Sequence, residues 1–267
     1  MGQRRSAREY LGTIKTDIDQ RMALAEAAKA GDPQAALKLG ELLAYYRQHK
    51  HARAAFEQAI ASGHPDYAPA ASNALGNFLR QAGDLDGARA AYQQAIDSGH
   101  PQSAPVAALN LAMMLAEAGD LAGARGAYQL AADSGHPQWA PRAAAALGDM
   151  LRKDRDFAGA RAAYEHALSS GQLPRPAFPL YFLALVRMQL GDLDGAVAAV
   201  RQAADIGDPA MAGLTDALLG DLLSRQGDLD GARAAYQRAV DFGNPEAARY
   251  AAGQVAALPT DTPPRPA

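Results

Sequence analysis

The stretch GDLDGARAAYQQAIDSGHP, Gly83 to Pro101, decides the fold, because the chain repeats it. A near copy, GDLAGARGAYQLAADSGHP, runs from Gly119 to Pro137, 36 residues later. Related strings begin at Arg155, Gly191 and Gly227, each one period further on, and a weaker one begins at Arg47. A fixed period from about residue 34 to residue 245 implies a stack of equivalent units, each touching mainly its neighbours.

Each unit reads as two helices. In the second copy Ala71, Ala74, Leu75, Phe78, Leu79 and Ala82 recur at steps of three and four, which marks one helix face. Gly83 ends that helix and Asp84 caps the next. Asp86 falls in the first turn, where the macrodipole favours a carboxylate. Leu85, Ala88, Tyr92, Ala95 and Ile96 share a face of the second helix, and Gly99 with Pro101 stops it. Pro69, Pro105 and Pro141 are placed at the first position of the following first helices.

Composition agrees. Of 267 residues 65 are Ala, and 49% are apolar but only 6% aromatic, so the helices must pack their backbones closely. Ala is also the best helix former. The absence of Cys excludes a disulfide framework, thiolate zinc sites and a Cys nucleophile. No apolar run approaches the roughly 20 residues that cross a bilayer. The opening MGQRRSAREYLGTIKTD turns charged where a signal peptide needs its apolar stretch. A net charge of −3 leaves no electrostatic footprint for nucleic acid. A cytoplasmic protein that engages neither nucleic acid nor membrane is therefore expected.

The spacing Leu75-Gly76, Leu79, Gly83, Leu85, Ala88, Tyr92, Ala95 and a late Pro resembles the tetratricopeptide repeat (TPR). The same columns recur as Leu39-Gly40, Ala52, Phe56 and Ala59, as Leu147-Gly148, Ala160, Tyr164 and Ala167, and as Leu219-Gly220, Ala232, Tyr236 and Ala239. The usual TPR has about 34 residues; here the extra residues fall in the turn between units. Arg outnumbers Lys by 21 to 5, and the GHPxxAP turns are similar to those of actinobacterial TPR proteins. The resemblance implies an all-α, right-handed α-solenoid superhelix of about six helix-turn-helix repeats with helical caps. Gly76, Gly148 and Gly220, with Ala112 and Ala184 standing in, let the two helices of a unit approach. Tyr92, Tyr128, Tyr164 and Tyr236 fill the gap between units.

The expected organisation follows. Residues 1–33 hold an N-terminal segment and a capping helix, with Arg21 to Gly31 resembling a lone second helix. Six repeats occupy 34–65, 66–101, 102–137, 138–173, 174–209 and 210–245. A solvating helix takes 246–258, with Arg249 and Gln254 toward water. The proline-rich tail, 259–267, is expected to be disordered.

Chemistry has little foothold. His64, His100 and His136 share a GHP turn at the repeat interval. Stacked helices about 8–10 Å apart keep such residues from converging on one ion. The same column holds Asp208 and Asn244, which suits a turn or cap. His49 and His51 flank Lys50, a weak metal prospect. The regular carboxylates Asp84, Asp120, Asp156, Asp192 and Asp228 read as caps, and no nucleophile elbow, phosphate loop or zinc-helix motif is present. No catalytic, cofactor or metal residue is assigned, and no cofactor is expected.

The repeats align with one another, so recurrent columns report packing and variable ones are left to meet a partner. In a TPR the variable columns of the first helix face the concave groove. One reads Glu41, Asn77, Met113, Asp149, Leu185, Asp221; others contain Asn73, Tyr181, Arg80 and Arg152. This mixed surface suits a peptide or partner helix. Some TPRs clamp a C-terminal carboxylate; in the matching columns stand Asn73 and Asn77, then Asn110, then Arg142 and Ala146, of which Asn73 and Ala146 depart from the pattern. Asp149 with Lys153, and Asp221 with Arg225, are spaced four apart as simple ion pairs. The fifth copy diverges: LPRPAFP precedes a first helix with Phe178, Tyr181 and Phe182, while Val197 and Val200 replace Arg and Tyr. These aromatics form either an anchor for a partner or a repacking in which Phe182 refills the volume lost at Val200.

The groove candidates are thus Asn73, Asn77, Arg80, Asn110, Met113, Arg142, Asp149, Arg152, Phe178, Tyr181 and Leu185. The expected function is a non-catalytic bacterial scaffold holding a protein or peptide, itself a monomer or weak homo-oligomer. The alternatives are an accessory subunit that assembles through convex or edge surfaces, and an enzyme with a groove site.

Overall fold

The computed structural model describes residues 7–242 and 245–259. The chain forms two compact units, one up to His136 and one from Pro137. The first contains α1 (Ala7–Lys29), α2 (Pro33–Tyr45), α3 (His49–Ala61), α4 (Tyr67–Gln81), α5 (Leu85–Asp97), α6 (Ser103–Glu117) and α7 (Leu121–Ala132). The second contains α8 (Trp139–Lys153), α9 (Phe157–Ser169), α10 (Ala177–Gln189), α11 (Leu193–Ile206), α12 (Ala212–Arg225), α13 (Leu229–Asp241) and α14 (Pro245–Ala257). There are no strands among the described residues.

The helices pair as antiparallel hairpins: α2 with α3, α4 with α5 and α6 with α7 in the first unit, and α8 with α9, α10 with α11 and α12 with α13 in the second. Within each unit the second helix of one hairpin packs on the first helix of the next, as α3 on α4 and α9 on α10. This is the stacking of a helical-repeat solenoid.

The repeated letters account for the hairpin. Gly83, at φ +84°, closes α4 with a left-handed turn that suits glycine. The Asp84 carboxylate then accepts the Gly87 N–H at 2.9 Å, capping α5. Asp120, Asp156, Asp192 and Asp228 cap α7, α9, α11 and α13 in the same way. A Cβ on Gly87 would lie 2.6 Å from an Asp84 carboxylate oxygen, so the glycine after the cap belongs to the capping geometry.

Three expectations are corrected. Pro69, Pro105 and Pro141 sit third in their helices, since α4, α6 and α8 begin at Tyr67, Ser103 and Trp139. The first four N–H groups of a helix lack partners, so proline sacrifices no hydrogen bond there. The tyrosines fill the hairpin itself: Tyr92 lies on Gly76, where a Cβ would meet its ring at 2.5 Å. Tyr164 on Gly148 and Tyr236 on Gly220 repeat this arrangement, and Phe56 on Gly40 does so without a hydroxyl. The capping helix α1 reaches back to Ala7, well beyond the Arg21–Gly31 segment.

At its C-terminal end α1 covers the first hairpin. Leu24, Ala27 and Ala28 pack against Ala35, Ala36 and Ala59. In α14, Arg249 is exposed while Gln254 is half-buried. Residues 1–6 and 260–267, most of the tail expected to be disordered, lie outside the described residues, as does Asn244.

Candidate functional site

The GHP histidines are turn residues. In the turn before α6, His100 accepts the Ser103 N–H through Nδ1 at 3.1 Å. Its Nε2 lies 3.3 Å from the Asp66 carboxylate of the preceding turn. His136 meets Gln102 at 2.8 Å in the same fashion. In the second unit the pair changes character: Arg175 contacts Asp208 at 3.1 Å. In these three places a turn is tied to its neighbour within the same unit. No cluster of three His, Cys, Asp or Glu residues able to hold a metal occurs among the described residues. No described helix is long and apolar enough to cross a membrane.

In the first unit most of the candidates are bonded to neighbouring side chains. Asn77 Oδ1 accepts the Tyr92 hydroxyl at 2.8 Å. Asn110 Nδ2 donates to Asn73 at 3.0 Å, joining α6 to α4. Arg80 pairs with Glu117 at 3.3 Å. Met113, 41% exposed, presents its side chain to solvent.

In the second unit three of the candidates line a cleft. It lies between α8 and α10, has a volume of about 480 Å³, and takes Arg142 and Asp149 from α8 and Phe178 from α10. Ala145, Ala146, Leu173, Pro174, Pro179 and Phe182 supply the apolar walls, and Tyr164 of α9 also lines the cleft. Arg142 rests over the Trp139 ring at 5.1 Å. Among the described residues no carboxylate pairs with it. Arg152 lies over Phe182 at 4.4 Å, and Arg175 over Phe178 at 4.4 Å. Tyr181 turns its edge to Phe182 at 5.5 Å; neither it nor Leu185 lines the cleft.

The acids do not form the local pairs that spacing suggested. Asp149 accepts the Tyr164 hydroxyl at 2.5 Å. Asp221 accepts the Tyr236 hydroxyl at 2.7 Å and the Tyr250 hydroxyl at 2.8 Å. No ion pair joins Asp149 to Lys153 or Asp221 to Arg225 among the described residues. Burial pushes the Tyr164 hydroxyl well above the ordinary tyrosine range, and the adjoining Asp149 carboxylate pushes it further. Burial raises Tyr181 as well, with a smaller push from the charge of Asp221.

Phe182 stacks on Tyr164 of the preceding hairpin, with centroids 6.4 Å apart. Phe182 also lines the cleft. The wall residues Leu173, Pro174 and Pro179 are not among the variable groove columns; their signal is the LPRPAFP break, where the chain leaves its own pattern.

The family model for the tetratricopeptide repeat-like domain matches residues 67–177 and 181–258. No curated protein sequence matches. Among solved structures, the C-terminal part of a TPR repeat-containing protein from Cytophaga hutchinsonii aligns with a TM-score of 0.64 and 15% identity. That alignment covers 91% of this chain and 97% of the other. The MamA protein aligns at 0.54 and 20%, covering 67% and 93%. YrrB, described as a TPR protein with an unusual peptide-binding site, aligns at 0.50 and 20%, covering 62% and 82%. At these identities the likeness is one of fold.

Proposed function

The chain belongs to the tetratricopeptide repeat-like family, and from that premise we propose that it is a non-catalytic, cytoplasmic scaffold that holds a peptide or partner protein. The observation that carries this reading is the cleft between α8 and α10. Its apolar walls stand beside Arg142, a cation that pairs with no carboxylate among the described residues. An apolar recess with a few placed polar groups is the usual form of a binding site. The peptide-binding site named for YrrB supports the reading by analogy of fold.

In the first unit, Asn73, Asn77, Arg80 and Asn110 are already engaged with neighbouring side chains. Met113 is the exposed apolar contact there, and Tyr181 and Leu185 extend the partner surface beyond the cleft along α10. The reading is tested by capturing partners with the full chain from its native cell, alongside Arg142→Glu and Phe178→Ala variants. A specific partner should be lost from both variants while their melting temperatures stay near that of the parent. A partner retained equally by all three proteins would refute a role for this cleft.

A further inference from the structure

We propose that the α8–α10 cleft selects a peptide segment in which a large apolar side chain stands beside a single carboxylate. The proposal rests on the peptide-holding reading above and names the chemistry of its ligand.

Charge is the first ground. The charged groups at the cleft are Arg142, Asp149 and Arg175, with Arg152 over the Phe182 wall and Asp208 beside Arg175. Three guanidinium groups thus face two carboxylates. Asp149 is held by the Tyr164 hydroxyl, and Asp208 by Arg175. Among the described residues neither Arg142 nor Arg152 pairs with a carboxylate; Arg152 lies over the Phe182 wall, and Arg142, resting on the Trp139 ring, is the one of the two that lines the cleft. A wholly apolar ligand would strip water from Arg142 without replacing it. A cationic ligand would meet like charge. A single carboxylate answers both objections and leaves the walls free for an apolar side chain. Arginine also offers the fork of donors that fits a carboxylate.

Shape is the second ground. A volume of about 480 Å³ lies within the range of roughly 300–1,000 Å³ found for ligand sites. It has room for more than one side chain. One wall exists because the repeat fails there. α8 begins at Trp139, so the period places the next first helix at Arg175, yet α10 begins at Ala177. Pro174 and Pro176 keep the preceding residues from entering a helix. The displaced segment brings Leu173 and Pro174 against Phe178 at the cleft. Phe178 and Phe182, one helical turn apart on α10, complete the apolar surface.

The full-length protein is to be screened on an array of N-acetylated, C-amidated hexapeptides, so that every carboxylate is a side chain. Peptides pairing Asp or Glu with Leu, Phe or Met should bind more tightly than their Asn or Gln counterparts. Arg142→Gln should weaken the best peptide by about tenfold or more, because a charge-assisted hydrogen bond is lost, and should equalise its Asp and Asn forms. Phe178→Ala should weaken both forms and keep the preference for acid. Arg142→Glu should turn the preference toward Lys and Arg. Equal binding of Asp and Asn peptides to the parent would overturn the proposal, and so would a complete lack of bound hexapeptides. Tight peptides indifferent to both positions would overturn it too, while leaving peptide holding intact elsewhere on the chain. Decanoate displacing the best peptide at lower concentration than the peptide itself would make the cleft a fatty-acid site and reject the peptide.

Discussion

The hydroxyl of Tyr164 donates to the carboxylate of Asp149, 15 residues earlier on the facing helix of its hairpin. Tyr236 and Asp221 repeat the bond at the same spacing, and Tyr92 makes it to Asn77. The residue after the helix-contact glycine is therefore a packing partner of the tyrosine as well as a groove residue. Tyr164→Phe should leave the half-buried Asp149 without its donor and lower stability by about 1–3 kcal/mol. Urea unfolding measures it. An unchanged midpoint would show that the bond contributes nothing in solution.

The same tyrosine presses on Gly148, where an added Cβ would stand 2.7 Å from the ring. The ring is fully buried, so it has little room to retreat. Gly148→Ala should destabilise the second unit by about 1–3 kcal/mol through overpacking. The third repeat has Ala112 in the glycine column and Tyr128 in the tyrosine column, both buried, so that hairpin already carries the methyl group. Ala112→Gly should bring no comparable gain. Equal and opposite effects at the two sites would mean that the fit is not specific to each hairpin.

Stability should fall in alkali for a reason visible in these bonds. Burial first, and then the Asp221 carboxylate, push Tyr250 up to about 12; the same causes raise Tyr236, and burial with the Asp149 carboxylate raises Tyr164. Each folded value lies above the unfolded one, so the neutral hydroxyl is the form that the fold favours. The stabilisation is complete below about pH 10 and is lost as the pH climbs through the folded values, since unfolded tyrosines ionise first. Denaturation midpoints and tyrosinate absorbance followed together over this range should show it. Tyr250→Phe should flatten the decline; an identical slope would exclude Tyr250 as a contributor.

Much of the fold was legible because the repeats align with themselves: Gly83, Asp84 and Gly87 recur as letters because they recur as a turn, a cap and the residue beneath the cap. The candidate site was less legible. Asn77 and Asp149 read as variable groove positions, and only the facing helix reveals their bonds to tyrosine. A hint was present, since Asn or Asp at 77, 149 and 221 accompanies Tyr at 92, 164 and 236, while Glu41 and Leu185 accompany Phe56 and Val200; Met113 with Tyr128 is the exception. Which arginine keeps an unmatched charge could not be read, because Arg80 and Arg142 look alike until Glu117 is found beside the first. The cleft itself arises where prolines break the period, and a break predicts an irregularity without giving its shape.

Arg155 occupies a position built for glycine. It closes α8 at φ +63°, as Arg47 closes α2 at +56°, while Gly83, Gly119, Gly191 and Gly227 hold the same column at +80° to +84°. A side chain in the left-handed region crowds the following carbonyl, which glycine avoids. Glycine also gives the unfolded chain more freedom, which offsets part of the relief. The exposed Arg155 side chain makes no ion pair among the described residues, so little else is forfeited. Arg155→Gly should therefore raise stability by about 0.5–1 kcal/mol, and Gly191→Arg should lower it by at least as much. Urea midpoints of the two variants at unchanged slope provide the comparison. A loss of stability in Arg155→Gly would show that the arginine makes a compensating contact in solution.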